Sequence, residues 1–172
     1  IIQGFTEFLP VSSSGHLVLA QRLIPGFSQP GVLFDVILHF GTLFSVFFFF
    51  RKKIFSLTPK YIALLLIGSI PAAFFGFILK DFLEKTFSVG GLFLSFQFLI
   101  TSIFCYLTDA EENGKSEKIE FLDSFIIGFA QALAIIPAIS RSASTIFTGV
   151  QRGIDRKTAA EFSFLLSTSE YV

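Results

Sequence analysis

Charge is scarce in this chain, and cysteine is scarcer. Only 15% of the 172 residues are Asp, Glu, Lys or Arg, against roughly 25% in soluble domains. The 13 basic and 13 acidic residues cancel to a formal net charge of +0. A neutral chain with short Arg/Lys clusters offers no basic field, which sets nucleic-acid binding aside. A lone cysteine, Cys105, excludes an internal disulfide. It lies in an apolar stretch, where a free cysteine behaves as a small hydrophobe. No CxxC pair and no cluster of His and Cys occurs, which argues against zinc. Methionine is absent, and the chain runs from Ile1 to Val172, within an apolar run. The expectation is a piece of a longer chain. No basic leader or small-residue cleavage site precedes the first polar motif, so no cleavable signal peptide is expected.

Apolar residues are abundant instead: 52% of the chain is hydrophobic, with 26 phenylalanines. The mean hydropathy is +0.73. An integral membrane protein follows. The runs Phe34 to Phe50, Tyr61 to Leu79 and Leu92 to Leu107 would span roughly 24–29 Å as helices, enough for a bilayer core. Phe121 to Ile136 is a weaker fourth, and another begins at Ala159. Arg51, Lys52, Lys53 and Lys60 lie in the joint after the first run; Lys115 and Lys118 lie in the joint after the third. The middle joint has Lys80 and Lys85, diluted by Asp81 and Glu84. Three spans place the first and third joints on one side, which the positive-inside rule makes cytoplasmic.

Two polar breaks interrupt this pattern: EFLPVSSSGH from Glu7 to His16, and PAISRSAST from Pro137 to Thr145. Each follows a Gly-Phe pair, and Gly4-Phe5-Thr6-Glu7 is similar to Gly128-Phe129-Ala130-Gln131. The flanking segments, Ile1 to Leu9 and Leu17 to Ile24, are too short to cross. A helix–loop–helix that dips in and returns suits them, since polar backbone at membrane depth is tolerated only along a protein-walled or wet cavity. Three spans separate the breaks, so the two hairpins would enter from opposite faces. The expected fold is therefore all-α: a polytopic transmembrane helix bundle with two re-entrant helix-loop-helix hairpins in an inverted-topology repeat. It is read as one membrane domain over 1–172. The first repeat covers 1–107 with re-entrant 1–24; a partial second covers 121–172 with re-entrant 121–152.

The breaks carry chemistry that lipid does not otherwise tolerate. Ser12, Ser13 and Ser14 offer hydroxyls, and a serine becomes a nucleophile only beside a base. His16 falls on the same helical face as Ser13, and histidine is the residue type suited to proton transfer near neutrality. A plain N-cap serine run with a satisfied histidine is the bland alternative. Glu7 could hold a divalent metal, orient the serine or histidine, or pair with Arg141. Gln3, one turn earlier, could bond the same metal, water or phosphate. Arg141 stays charged and can fork onto two phosphate oxygens. Ser140, Ser142, Ser144 and Thr145 surround it with donors; the alternative is a cap cluster with a snorkelling arginine. Asp35 and His39, spaced i, i+4, are expected to pair with each other. Arg152, Arg156 and Lys157 are expected in a solvated joint, with Asp155 and Arg156 opening a helix.

At these residues the chain resembles the undecaprenyl-pyrophosphate phosphatase family, the bacitracin-resistance type. The family's first motif appears as Gln3, Glu7 and LPVSSSGH at Leu9 to His16. Its second, PGxSRSxxT, appears as PAISRSAST, with Ala138 and Ala143 in place of glycine. Ile70-Pro71-Ala72-Ala73 and Gly76 match its middle element. The resemblance implies hydrolysis of a polyprenyl diphosphate lipid to the monophosphate, recycling the carrier for cell-wall sugars. It implies a bacterial inner-membrane protein with its site open to the outer face, and a divalent cation, Mg²⁺ or Ca²⁺. It makes Ser13 the nucleophile with Ser12 beside it, His16 the acid/base, and Glu7 with Gln3 the metal or orienting pair. Ser140, Arg141 and Thr145 would bind the phosphates. A carrier that flips polyprenyl phosphate without hydrolysis is the rival function, and a homodimer stays open.

Overall fold

Helix starts follow local chemistry. Thr58 Oγ1 accepts from the Tyr61 amide at 3.3 Å, ahead of a proline that suits a first helical position. Asp155 Oδ2 accepts from the Thr158 amide at 3.1 Å, at the helix start expected there. The computed structural model describes residues 1–25, 33–79, 91–112, 114–136 and 139–168, with side chains at 33, 35, 36, 91 and 92 excepted. Eight helices occur among the described residues: α1 Ile2–Thr6, α2 Ser13–Leu23, α3 Leu33–Ile54, α4 Pro59–Ile78, α5 Gly91–Ala110, α6 Phe121–Leu133, α7 Arg141–Gln151 and α8 Arg156–Thr168. The fold is all-helical there; the only strand-like pairing is an isolated bridge between Ser116 and Ile154. Lys80, Lys85, Asp81, Glu84, Pro137 and Ala138 fall outside the described residues, as does the Asp35 side chain.

Three long helices lie between the two breaks. α3 has 22 residues, α4 has 20 and α5 has 20, or roughly 30–33 Å each. α4 and residues Phe93–Ala110 of α5 are long and apolar enough to cross a bilayer. The core helix of a soluble protein would be mostly buried, but these two are only 22% and 17% buried in their apolar windows. Phe49, Phe77 and Phe96 stand outward, as side chains do where lipid replaces water. The fourth expected run is shorter than the sequence suggested. α6 stops at Leu133 after 13 residues, about 20 Å, because the chain turns at Ala134 toward the second break.

Each break sits in a helix–break–helix unit. For the second, the ends fix the geometry. Arg152, just past α7, donates from Nε to Asp123 Oδ1 in the first turn of α6 at 2.8 Å. α6 and α7 therefore run antiparallel, with the break at their tip. Arg152 and Lys157 are exposed, as the solvated-joint expectation has it; Arg152 is at the same time held by Asp123, and Arg156 donates to Glu111 O at 2.6 Å.

The hairpin is anchored through close packing against α4. Gly68 meets Ser124 and Gly128 across the seam, and Leu64, Ala72 and Ala132 are buried at spacings of four along the same two helices. Ser124 Oγ donates to Leu64 O at 2.5 Å. A Cβ on Gly128 would lie 2.1 Å from the Gly68 carbonyl oxygen, so only glycine fits. Leu64, Ile127, Val150, Phe162 and Leu166 continue this contact into the apolar core.

Gly128→Ala is expected to destabilise by about 1–3 kcal/mol through forced separation of α4 and α6. Gly41→Ala, where nothing lies within 4 Å, should be neutral or slightly stabilising. Thermal unfolding in detergent compares them, and equal shifts would contradict the seam.

Candidate active site

The two breaks end in the same local structure. Ser12 caps α2, its Oγ accepting from the Gly15 amide at 3.3 Å and lying 3.4 Å from Ser14 Oγ. Ser140 caps α7, its Oγ accepting from the Ala143 amide at 3.2 Å and lying 3.2 Å from Ser142 Oγ. In both, the residue four past the cap bonds back to the cap's carbonyl. His16 Nδ1 meets Ser12 O at 2.8 Å; Ser144 Oγ donates to Ser140 O at 3.0 Å. Ser13 and Arg141 thus hold matching first positions in their helices. The backbones differ in one respect: Ser12 lies at φ 64°, ψ 94°, a sparsely allowed conformation for a serine, while Ser140 is extended.

Both helix starts line one cavity of about 270 Å³. Ser12, Ser13 and Ser14 form one side; Ser140, Arg141 and Ser142 form another; Glu7 and His39 join them. Arg141 Nη2 lies 3.5 Å from Glu7 Oε1. The other carboxylate oxygen, Oε2, accepts from Gln3 Nε2 at 2.7 Å. The same amide nitrogen lies 3.0 Å from His39 Nδ1. These side chains are largely enclosed, at 10% exposure for Glu7 and 23% for Arg141.

Comparison with known proteins agrees with the motifs. The family model for bacitracin resistance protein BacA matches residues 1–171. The chain belongs to the BacA family. Undecaprenyl-diphosphatase 4 of Bacillus thuringiensis (strain Al Hakam) is 46% identical over 178 residues, covering 100% of this chain and 68% of that protein. The undecaprenyl-diphosphatase of Carboxydothermus hydrogenoformans is 45% identical over 173 residues, covering 97% and 66% respectively. That of Syntrophotalea carbinolica is 42% identical over 182 residues, covering 97% and 69%. With its outward-facing apolar helices, this BacA chain is a membrane protein.

The cavity gathers most of the expected BacA site residues. Glu7, Ser12, Ser13, Ser140, Arg141 and Ser142 line it. Gln3, His16 and Thr145 stand outside the lining. Gln3 is 3% exposed and sits behind Glu7 and His39. Thr145 is buried, with Oγ1 2.6 Å from Ser163 Oγ and donating within its own helix. The His16 ring meets the Ser12 carbonyl rather than the Ser13 hydroxyl, and packs edge-on against Phe98 at 5.1 Å. Of the three roles open to Glu7, pairing with Arg141 is the one directly visible. Gln131, the sequence counterpart of Glu7, is 1% exposed and apart from the lining.

Sequence reasoning missed three residues. His39 meets Gln3 and Glu7 in the cavity wall. Thr101 and Cys105, one turn apart on α5, brace both breaks. Thr101 Oγ1 accepts from the Ser140 amide at 2.9 Å; Cys105 Sγ donates to Pro10 O at 3.1 Å. A lone polar residue in an apolar run carries no pattern, so neither could be found without the fold. Thr101→Val leaves the buried Ser140 N–H without this acceptor, and unfolding in detergent should show a loss of about 1–3 kcal/mol. Thr101→Ser should restore most of it; failure to do so would discount the bond.

Proposed function

We propose that this chain hydrolyses undecaprenyl diphosphate to the monophosphate, as the names of its relatives describe for those proteins. The single observation that carries the reading is one cavity holding a capped serine run and an arginine from two distant breaks. At about 270 Å³ it falls below the size of drug-sized pockets. It suits a diphosphate headgroup and leaves the prenyl tail to the lipid.

The chemistry follows from the lining. Arg141 and the N-terminal amides of α2 and α7 meet the phosphate oxygens. Ser13, at the start of α2, attacks the terminal phosphorus while its proton passes to the Glu7 carboxylate. The P–O bond to the bridging oxygen breaks, and polyprenyl phosphate leaves with that electron pair. Water then cleaves the phosphoserine. His16 enters as a positioning residue, because its Nδ1–H holds the Ser12 carbonyl and it stands outside the cavity lining. Ser140 and Ser142 add hydroxyl donors beside Arg141, and Thr145 supports them from behind. Catalysis of this kind rests on positioning and charge stabilisation.

Glu7 offsets most of the Arg141 charge, and each helix N-terminus supplies only about half a positive charge. A diphosphate therefore calls for a further cation, Mg²⁺ or Ca²⁺. The donors fit one shared with phosphate oxygens: Glu7 supplies a carboxylate, and Gln3 Oε1 is buried without a hydrogen-bond partner in the described structure. Such an ion would neutralise charge developing on the phosphoryl oxygens.

We place the chain in the bacterial inner membrane as a multi-pass protein, its hairpins re-entrant from opposite faces in an inverted repeat. The matching caps and the three long intervening helices support this. So does the basic end of α3 and α4, with Arg51, Lys52, Lys53 and Lys60, whose cytoplasmic reading supports a site toward the outer face. A carrier that only flips lipid needs no serine at a helix start in a rare backbone conformation.

In a detergent assay of the full-length protein, Ser13→Ala and Arg141→Ala are each expected to lower phosphate release at least a hundredfold. Undiminished release from both would refute the site, and trapped phosphoserine during turnover would identify the attacking group.

A further inference from the structure

α8 belongs to neither break, yet it reaches their chamber. Ser163, Phe164 and Ser167 of α8 line the cavity together with Arg141. The helix meets α7 along an antiparallel seam that advances in steps of four residues. A Cβ on Gly149 would lie 2.9 Å from Ala159 Cβ. One turn nearer the cavity, Thr145 Oγ1 lies 2.6 Å from Ser163 Oγ. One turn further, Arg141 and Ser167 both stand in the lining. The hydroxyl pair is therefore the last closed rung before the chamber opens at Arg141.

Hydrogen counting fixes the direction of that pair. Each hydroxyl has one hydrogen to give. Thr145 Oγ1 also lies 2.9 Å from Arg141 O and 3.3 Å from Ser142 O, and a carbonyl oxygen only accepts. Were Thr145 to donate to Ser163, its oxygen would face both carbonyls with no hydrogen between them. Ser163 would then have no acceptor for its own hydrogen among the described residues. The arrangement that places both hydrogens runs from Ser163 to Thr145, and from Thr145 to the Arg141 carbonyl. Both residues are buried, at 4% and 1% exposure, where linked hydroxyls polarise and strengthen one another. Thr145 thus holds the carbonyl of the residue that carries the guanidinium, and Ser163 holds Thr145.

We propose that Ser163 is a positioning residue for Arg141: through Thr145 it sets, from α8, the helix turn that presents the guanidinium to the phosphates. The inference rests on the phosphatase reading for what Arg141 binds. The Ser163 hydrogen is spent on Thr145, so its effect on the substrate passes through Arg141.

The test uses the full-length protein in detergent, with kcat/KM for the lipid diphosphate and the affinity for inorganic pyrophosphate measured side by side. Ser163→Ala and Thr145→Val should each lower both quantities roughly fivefold or more. Combined, they should lower them no further than the weaker of the two single variants. In an Arg141→Lys background, Ser163→Ala should change either quantity by less than about twofold. Ser163→Thr, which keeps the hydroxyl, should stay within about twofold of wild type. A merely structural serine would reduce the yield of folded protein and leave the constants of the folded fraction unchanged. If Ser163→Ala does not fold, Ser163→Cys takes its place, since a thiol is only a weak donor.

The proposal is overturned if the folded Ser163→Ala protein keeps wild-type constants, or if Ser163→Thr is as weak as Ser163→Ala. It is also overturned if the double variant shows the product of the two single losses, or if the loss persists with Arg141→Lys. A wild-type chain that neither binds pyrophosphate nor hydrolyses the lipid would overturn it too. Pyrophosphate affinity in the expected pattern without lipid hydrolysis would sink the phosphatase reading and leave the relay standing. Hydrolysis that no variant at Ser163 or Thr145 disturbs would do the reverse.

Discussion

A guanidinium and a carboxylate face each other at 3.5 Å inside an otherwise apolar bundle. Neither charge would be tolerated there alone, because removing one partner of an enclosed pair leaves the other uncompensated. Glu7 ends the first short helix, and Arg141 begins α7. Their attraction makes two remote breaks into one chamber. Gln3 shares in this constraint, since its amide holds the carboxylate oxygen that Arg141 does not take. The pair is weak evidence for stability. Its value lies in register: each charge specifies where the other's hairpin must stop.

The helices around the chamber convert that attraction into a fixed geometry. α4 and α6 approach through Gly68 and Gly128, where association in lipid rests on close packing rather than on the hydrophobic effect. α5 then contributes along one face. Phe98 meets the His16 ring, Thr101 meets the Ser140 amide, and Cys105 meets the Pro10 carbonyl. A single rigid element thus touches both breaks, and sites held by helices keep their geometry better than sites held by loops. At the far end, Lys53 pairs with Glu161, and Arg152 with Asp123. These tie α3 to α8 and α6 to α7, away from the chamber.

Patterned features were legible in the sequence. The apolar runs became α3, α4 and α5; the serine runs became caps; Glu7 and Arg141 came together. Unpatterned ones were not. α6 ended at Leu133 rather than Ile136, because hydrophobicity continues through a turn that only tertiary packing defines. His39 was expected to answer Asp35 on its own helix, whose side chain lies outside the described residues; across the helices it also meets Gln3 from α1. Spacing along one helix says nothing of the helix opposite. His16 was placed with Ser13 on one face, which the spacing allows. The ring instead chose the nearer backbone carbonyl, a choice between partners that depends on rotamer and on the Phe98 ring behind it.

The two caps carry the clearest division of labour. Their side-chain bonds are nearly superimposable in kind, but Ser12 alone adopts a positive φ. A residue held there costs on the order of 1–3 kcal/mol, while one capping bond returns about 1 kcal/mol. The cap therefore does not by itself offset the strain. The remainder falls to the His16 bond on the Ser12 carbonyl and the Cys105 bond on Pro10. Ser140, unstrained at φ −70°, needs no such help to present Arg141. Binding an anion asks only for a donor in place, whereas attack asks for one oxygen in one direction. Strain at the Ser12 cap, with none at the Ser140 cap, is what that difference in task requires.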